Sequence, residues 1–149
     1  MAVFRNDPYL NANFEITISG ISEDGKAVKG SFAEVSGLGV EIDVIEYRNG
    51  SEGITVRKLP GLKKFSNIVL KRGVIGDLTF WTWLQTAMSG HVTRAHGSIT
   101  LLDESRNAVL TWNFTRGWPC KWSGPHLLAK SNEVAIESLE ICHEGLEMV

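Results

Sequence analysis

The chain has 149 residues, of which 43% are hydrophobic and 21% are charged, and its formal net charge is −2. This composition is that of an ordinary globular protein, and the length predicts a single domain over residues 1–149 that buries about 70% of the unfolded surface. No apolar run approaches the ~20 residues of a membrane-spanning helix, so no membrane anchoring is expected, and the near-neutral charge gives no general case for nucleic-acid binding.

The N-terminus and the cysteines indicate the expected compartment. Residues 1–14 contain no apolar signal core, so we expect synthesis in the cytoplasm without a signal peptide. Cys120 and Cys142 are the two cysteines of the sequence, and two reduced thiols are the simplest expectation for them.

The first part of the chain predicts strands separated by turns. Residues 14–18 alternate between apolar and polar side chains, which is the period of a half-buried strand. A short strand is predicted over residues 32–35, and a longer one begins at Val40. The alternation of that strand shifts by one residue at Ile45, which predicts a β-bulge or a change of partner.

A long glycine-rich loop is predicted over residues 46–62. Loops of this length inside a compact domain usually carry function. Residues 48–72 contain seven basic residues and one acid, whereas both flanking parts of the chain are acidic. A basic projecting segment between acidic flanks is typical of a protein that docks onto copies of itself. A solvated charged loop and a nucleic-acid patch are the alternatives, and Phe65 is the segment's one aromatic residue.

One helix is predicted over residues 77–89, flanked by strands. Asp77 can accept backbone N–H bonds at its start, and Gly90 can provide a left-handed turn at its end. Residues 66–72 form a predicted strand before it, with Ile68 and Leu70 on one face. The apolar face of the helix comprises Phe80, Trp83, Leu84, Ala87 and Met88.

The remainder of the chain also predicts strands. Residues 98–102 and 108–115 read as a hairpin, residues 118–125 as an irregular aromatic connection, and residues 133–143 as a last long strand. One helix among many strands predicts a mainly β fold, an antiparallel sandwich or barrel with the helix on its flank.

No catalytic, cofactor or metal site is predicted, and the chain is therefore not expected to be an enzyme. The four histidines show no metal-binding spacing, and neighbours on a strand such as Cys142 and His143 point to opposite faces. The sequence contains neither a phosphate-binding loop nor a nucleophile elbow.

Two alternatives to a self-assembling protein remain open. Trp118 and Trp122 flank a proline and could line the mouth of a monomeric β-barrel ligand-binding module. A hydrolase using a glutamate or a histidine is the third possibility, although it lacks any motif.

Six segments carry a family resemblance. They are DPYLNANFEITI at 7–18, EVSGL at 34–38, IEYRNG at 45–50, RKLPGLKKFSNIVLKRG at 57–73, WTWL at 81–84 and EVAIESLEICHEGLE at 133–147. In order and spacing they resemble the tail-tube proteins of contractile-tailed phages and of phage-tail-like contractile injection systems. The resemblance extends over nearly the whole chain.

The resemblance implies an assembly. Proteins of this family form six-membered rings whose sheets join into a β-barrel, and the rings stack into a tube. The implied partners are further copies of the chain, a surrounding sheath, a baseplate or initiator protein, a tube-terminating protein, and DNA or effector proteins in the lumen. The resemblance leaves open whether the particle is a phage tail or a bacterial injection particle.

The resemblance also assigns contact residues. Residues 46–62 would be the inter-ring loop, and an N-terminal arm would include Asp7, Pro8 and Tyr9. The predicted contact residues between subunits or rings are Glu46, Tyr47, Arg48, Arg57, Lys58, Leu59, Lys63, Lys64 and Arg72. The acids on the neighbouring ring are not identified by the sequence. Because residues 48–62 have few apolar side chains to offset the entropy of ordering, we expect the loop to order only between subunits.

Overall fold

The computed structural model describes residues 5, 7–21, 28–30, 32–50, 53–130 and 132–149. Within these ranges the chain forms ten strands and one helix. In chain order they are β1 (Phe14–Ser19), β2 (Val28–Gly30), β3 (Glu34–Ser36), β4 (Val40–Tyr47), β5 (Arg57–Phe65), β6 (Ile68–Gly73), α1 (Thr79–Met88), β7 (Ala95–Leu102), β8 (Ala108–Ser123), β9 (Ile136–Cys142) and β10 (Gly145–Met148). The prediction of a mainly β fold with one flanking helix is confirmed.

Most of the strands form one antiparallel sheet that folds over on itself. Its order is β2-β1-β7-β8-β9-β6-β3, and β10 also pairs with β8. The sixteen-residue β8 pairs with β7 through its first part and with β9 through its last part. Because β8 belongs to both halves, the two halves enclose a common core as in a sandwich. The described strands leave β2 and β3 as edges, so they do not form a closed barrel.

The core lies between the two halves and under the helix. Alternate residues of β1 and β6 are buried, as predicted for Ile16, Ile18, Ile68 and Leu70. Each such side chain contributes about 1.5–3 kcal/mol on burial. The helix contributes Phe80 and Trp83 to this core, while Leu84 and Ala87 are partly buried.

The helix ends at Met88, which was predicted to be the last residue of its buried face. Met88 is 61% exposed, so its assignment to the buried face was wrong. The predicted ends are otherwise close to those observed: Asp77 Oδ1 accepts the N–H of Thr79 at 3.0 Å, and Gly90 has a φ of +85°. A glycine adopts this left-handed conformation without the penalty of a Cβ.

The aromatic connection predicted over residues 118–125 is wrong, because β8 continues to Ser123. Pro119 lacks an N–H for the ladder, but it lies beside the register shift between Pro119 and Lys121 where pairing with β9 is interrupted. The last predicted strand, over residues 133–143, is observed as β9, and β10 follows it as a further strand that was not predicted.

Candidate assembly surface

A two-stranded hairpin stands apart from the eight-stranded sheet. Its strands β4 and β5 pair only with each other, from Val40 opposite Phe65 to Tyr47 opposite Arg57. They make almost no contact with the other described elements. Eight of the seventeen residues of the loop predicted over residues 46–62 are therefore strand, namely 46–47 and 57–62, and the segment between the two strands runs from residue 48 to 56.

The hairpin contains a β-bulge, as the sequence predicted. The register changes between Ile42 and Val44, slightly before the predicted position at Ile45. Gly61 lies at this point, and a Cβ on it would be 3.0 Å from the Asp43 carbonyl oxygen. The close approach of the two backbones therefore favours glycine there.

The root of the hairpin is fixed to the core. Gly37 has a φ of +86°, and a Cβ there would lie 1.9 Å from the backbone oxygen of Asn67. The two ring nitrogens of buried His143 lie 2.9 Å from the Ser66 carbonyl oxygen and 3.0 Å from that of Gly145. These contacts hold the start of β6 and set where the hairpin leaves the sheet.

Both faces of the hairpin expose apolar side chains. Alternation along β4 places Val40, Ile42 and Val44 on one face, and Ile42 and Val44 are 54% and 63% exposed. The other face carries exposed Ile45 and Tyr47. Exposed apolar patches of this kind on otherwise globular proteins mark sites of association.

Acidic residues on β4 lie close to lysines on β5. Glu41 lies opposite Lys64 and Glu46 opposite Lys58, and Lys64 Nζ is 3.4 Å from Asp43 Oδ2. Four of the seven basic residues of the segment, Arg57, Lys58, Lys63 and Lys64, therefore lie on one strand of a mixed-charge hairpin. The charge pattern was misleading because pairing brings residues 41–46 beside residues 58–64.

Most of the predicted contact residues lie on or next to the hairpin and are exposed. These are Glu46, Tyr47, Arg48, Arg57, Lys58, Leu59, Lys63 and Lys64.

Arg72 is the exception among the predicted contact residues, because it is only 5% exposed. Its Nε lies 2.5 Å from Glu137 Oε1, its Nη1 lies 3.6 Å from Asp77 Oδ2, and its guanidinium stacks 4.3 Å from the centre of the Phe80 ring. The Arg72 guanidinium therefore pairs with carboxylates of its own subunit. We therefore leave Arg72 out of the contact set.

The N-terminal arm contacts its own chain. Arg5 donates to Glu104 at 3.1 Å and to the Pro8 carbonyl at 3.0 Å, and its guanidinium lies 3.8 Å from the centre of the Tyr9 ring. Asp7 and Pro8 are exposed beside this cluster. A contact of Asp7, Pro8 and Tyr9 with another subunit stays a prediction.

The two tryptophans of the ligand-binding alternative do not face one cavity. Trp122 is opposite Leu139, whose side chain points into the core, whereas Trp118 is opposite Cys142 on the other face of the sheet. The Trp122 ring instead packs edge-on against Trp81, with centroids 5.2 Å apart. This arrangement does not support a ligand mouth lined by both residues.

Two further features that could carry chemistry in the described residues are a metal-ligating cluster and a reactive thiol. They contain no cluster of three or more metal-ligating side chains. Burial, together with the nearby carboxylate of Glu140, raises the pKa of the Cys120 thiol to about 11. In the same ranges there is no helix long and apolar enough to cross a membrane.

The family of the T4-like virus tail tube protein gp19 matches residues 10–147. The chain belongs to this family and is a tail-tube protein of contractile systems. No curated protein sequence matches it significantly.

Solved structures show the same fold. A chain of the PVC sheath-tube complex, an extracellular contractile injection system in the extended state, has a TM-score of 0.83 at 26% identity, covering 97% of this chain and 93% of that one. A chain of the anti-feeding prophage baseplate has a TM-score of 0.87 at 24% identity, covering 97% of both. Hcp1 from Flavobacterium johnsoniae is more distant, with a TM-score of 0.51 at 17% identity over 89% of this chain and 93% of that one.

Proposed function

We propose that copies of this chain form rings of six that stack into a hollow tube, in which the β4–β5 hairpin of one copy docks on a copy in the next ring. The single observation that carries the docking role is the hairpin's isolation, since it projects from the sheet with both faces exposed. A lone two-stranded hairpin is marginally stable in water, and a second copy would cover it.

The energy available to this docking comes from the apolar face. Val40, Ile42 and Val44 are each more than half exposed, so each has about 1 kcal/mol or more still to contribute on burial. The lysines and arginines contribute about 0–1 kcal/mol each at an exposed rim, so their proposed role is orientation.

The sheet edges provide a lateral contact within a ring. β2 and β3 end the described sheet, and open strand edges promote pairing with other chains. We assign ring formation to these two edges, because pairing around a closed ring covers both of them. The hairpin is then left for contacts between rings.

The proposed partners follow from the family and the related structures. A contractile sheath would surround the tube, a baseplate or initiator protein would start it, and a terminating protein would end it. The lumen would carry DNA in a phage tail or effector proteins in a tail-like particle. The chain would act as a structural subunit without catalysis, made in the cytoplasm and incorporated into the particle.

The docking role is tested by the double variant Ile42→Thr/Val44→Thr. Threonine keeps a β-branched side chain but removes apolar surface, so the hairpin should persist. We expect a folded protein that forms shorter or fewer tubes than wild type, measured by negative-stain microscopy and light scattering. Met148→Thr is the matched control, because it also replaces an exposed apolar residue but lies on β10. Tubes of wild-type length and yield from the double variant would refute the docking role.

A further inference from the structure

An exposed apolar surface lies at the far end of β6 from the hairpin. We call it the socket, and it consists of Val74, Leu78, Leu127, Leu128, Val134 and Ile136, all of them exposed. Two clefts of about 390 Å³ each open onto it.

The two parts of the socket adjoin each other. The Val74 N–H donates to the Ala135 carbonyl at 2.9 Å, which joins the segment after β6 to the segment before β9. Gly73 lies close to Val134, since a Cβ on it would be 3.6 Å from Val134 Cγ1. The socket is therefore one continuous surface.

Strand β6 separates the socket from the hairpin. β5 ends at Phe65, just before β6 begins at Ile68, whereas the socket begins at Val74, just after β6 ends at Gly73. A six-residue strand spans about 17–20 Å at ~3.3 Å per residue. A contact between surfaces at opposite ends of one strand joins copies head to tail. Such a contact propagates instead of closing as a twofold dimer.

The two surfaces are chemically complementary. The hairpin face of Val40, Ile42 and Val44 also carries Lys63, which lies opposite Ile42. One cleft of the socket is lined by Glu133, which is exposed. The other is lined by Asp77 and Glu137, which already pair with Arg72 inside the subunit. Apolar side chains therefore meet apolar side chains, and the hairpin lysines meet the carboxylate of Glu133.

We propose that the socket receives the Val40–Ile42–Val44 face of the hairpin of a second copy, with the hairpin lysines directed towards Glu133. This inference rests on the proposed function, because it takes the hairpin as the docking element. It names the receiving surface and the acidic partner.

Cysteine cross-linking tests the contact. In a Cys120→Ser/Cys142→Ser background, Val44→Cys marks the hairpin and Val134→Cys marks the socket. The purified variants are treated with a short bismaleimide and separated under denaturing conditions. The control pair is Val44→Cys/Ser105→Cys, because Ser105 is exposed in the turn between β7 and β8. Circular dichroism establishes that each variant is folded, and a Cys142→Val background replaces Cys142→Ser if the first does not fold.

The head-to-tail contact predicts a ladder of dimers, trimers and longer chains from the hairpin–socket variant, and monomers from each single variant and from the control pair. Dimers from Val44→Cys alone would overturn the proposal in favour of a hairpin–hairpin contact. Rings or tubes seen by microscopy without a ladder would also overturn it while leaving the proposed function intact. Monomers by light scattering at every concentration, with no cross-link in any variant, would contradict the proposed function itself.

Discussion

Replacing Arg72 by methionine should destabilise the subunit strongly, because it breaks a buried ion pair. The Arg72 and Glu137 side chains are 6% and 14% exposed, so Glu137 would be left as a nearly buried carboxylate without its partner. Removing one member of such a pair costs about 3–5 kcal/mol, which corresponds to roughly 10 °C in Tm for a chain of this length. Thermal unfolding followed by circular dichroism measures the effect.

Two variants make the test of Arg72 specific. Lys71→Met is the matched control, because Lys71 pairs with Glu34 at 3.6 Å on the surface and should contribute only about 0–1 kcal/mol. The double variant Arg72→Met/Glu137→Leu should recover much of the loss, since it leaves no uncompensated charge at Glu137. If the free energies of unfolding of the Arg72→Met and Lys71→Met proteins differ by less than about 1 kcal/mol, the buried ion pair does not stabilise the subunit as inferred.

Three further predictions concern packing and titration. Gly117→Ala places a Cβ 2.7 Å from the Phe114 ring and should cost about 1–3 kcal/mol in denaturant unfolding, whereas Gly53→Ala, with no atom within 4 Å of its Cβ, should be nearly neutral. Hydrogen bonds from Thr79, and then the Arg72 charge, lower the pKa of Asp77. The stability that the Asp77 carboxylate contributes is therefore lost as the pH falls below about 4. In Asp77→Asn, Tm should fall less steeply with decreasing pH in that range than in the wild-type protein. At about pH 8, alkylation of Cys120 should be roughly 100-fold slower in the folded than in the unfolded protein, because its pKa rises from 9.0 to about 11, and equal rates would contradict this.

The sequence predicted the core strands because their signal is local. Alternating residues in β1 and β6 and the stripe on α1 each lie within one element. Their central side chains are buried, namely Ile16, Ile18, Ile68, Leu70, Phe80 and Trp83, whereas Met88 at the end of the stripe is exposed. The same alternation places Arg72 on the face of Ile68 and Leu70. The charge of Arg72 led to its assignment to the surface, although the period-2 pattern of β6 indicated the interior.

Most of β5, the second strand of the hairpin, was predicted as loop because Gly61 and Pro60 are turn residues by local rules. Pro60 is compatible with β5 because a two-stranded sheet has two open edges, where a missing N–H is tolerated. The socket was not predicted at all. Its residues come from the segments after β6 and before β9, which only the β6–β9 pairing brings together.

Electron microscopy of the wild-type protein shows whether this chain stacks as rings of six. Purified protein is imaged in negative stain at rising concentration, with light scattering on the same samples. We expect end views with sixfold symmetry and side views of hollow tubes whose length grows with concentration. End views of another symmetry, or a monomer at every concentration, would contradict the proposed rings of six.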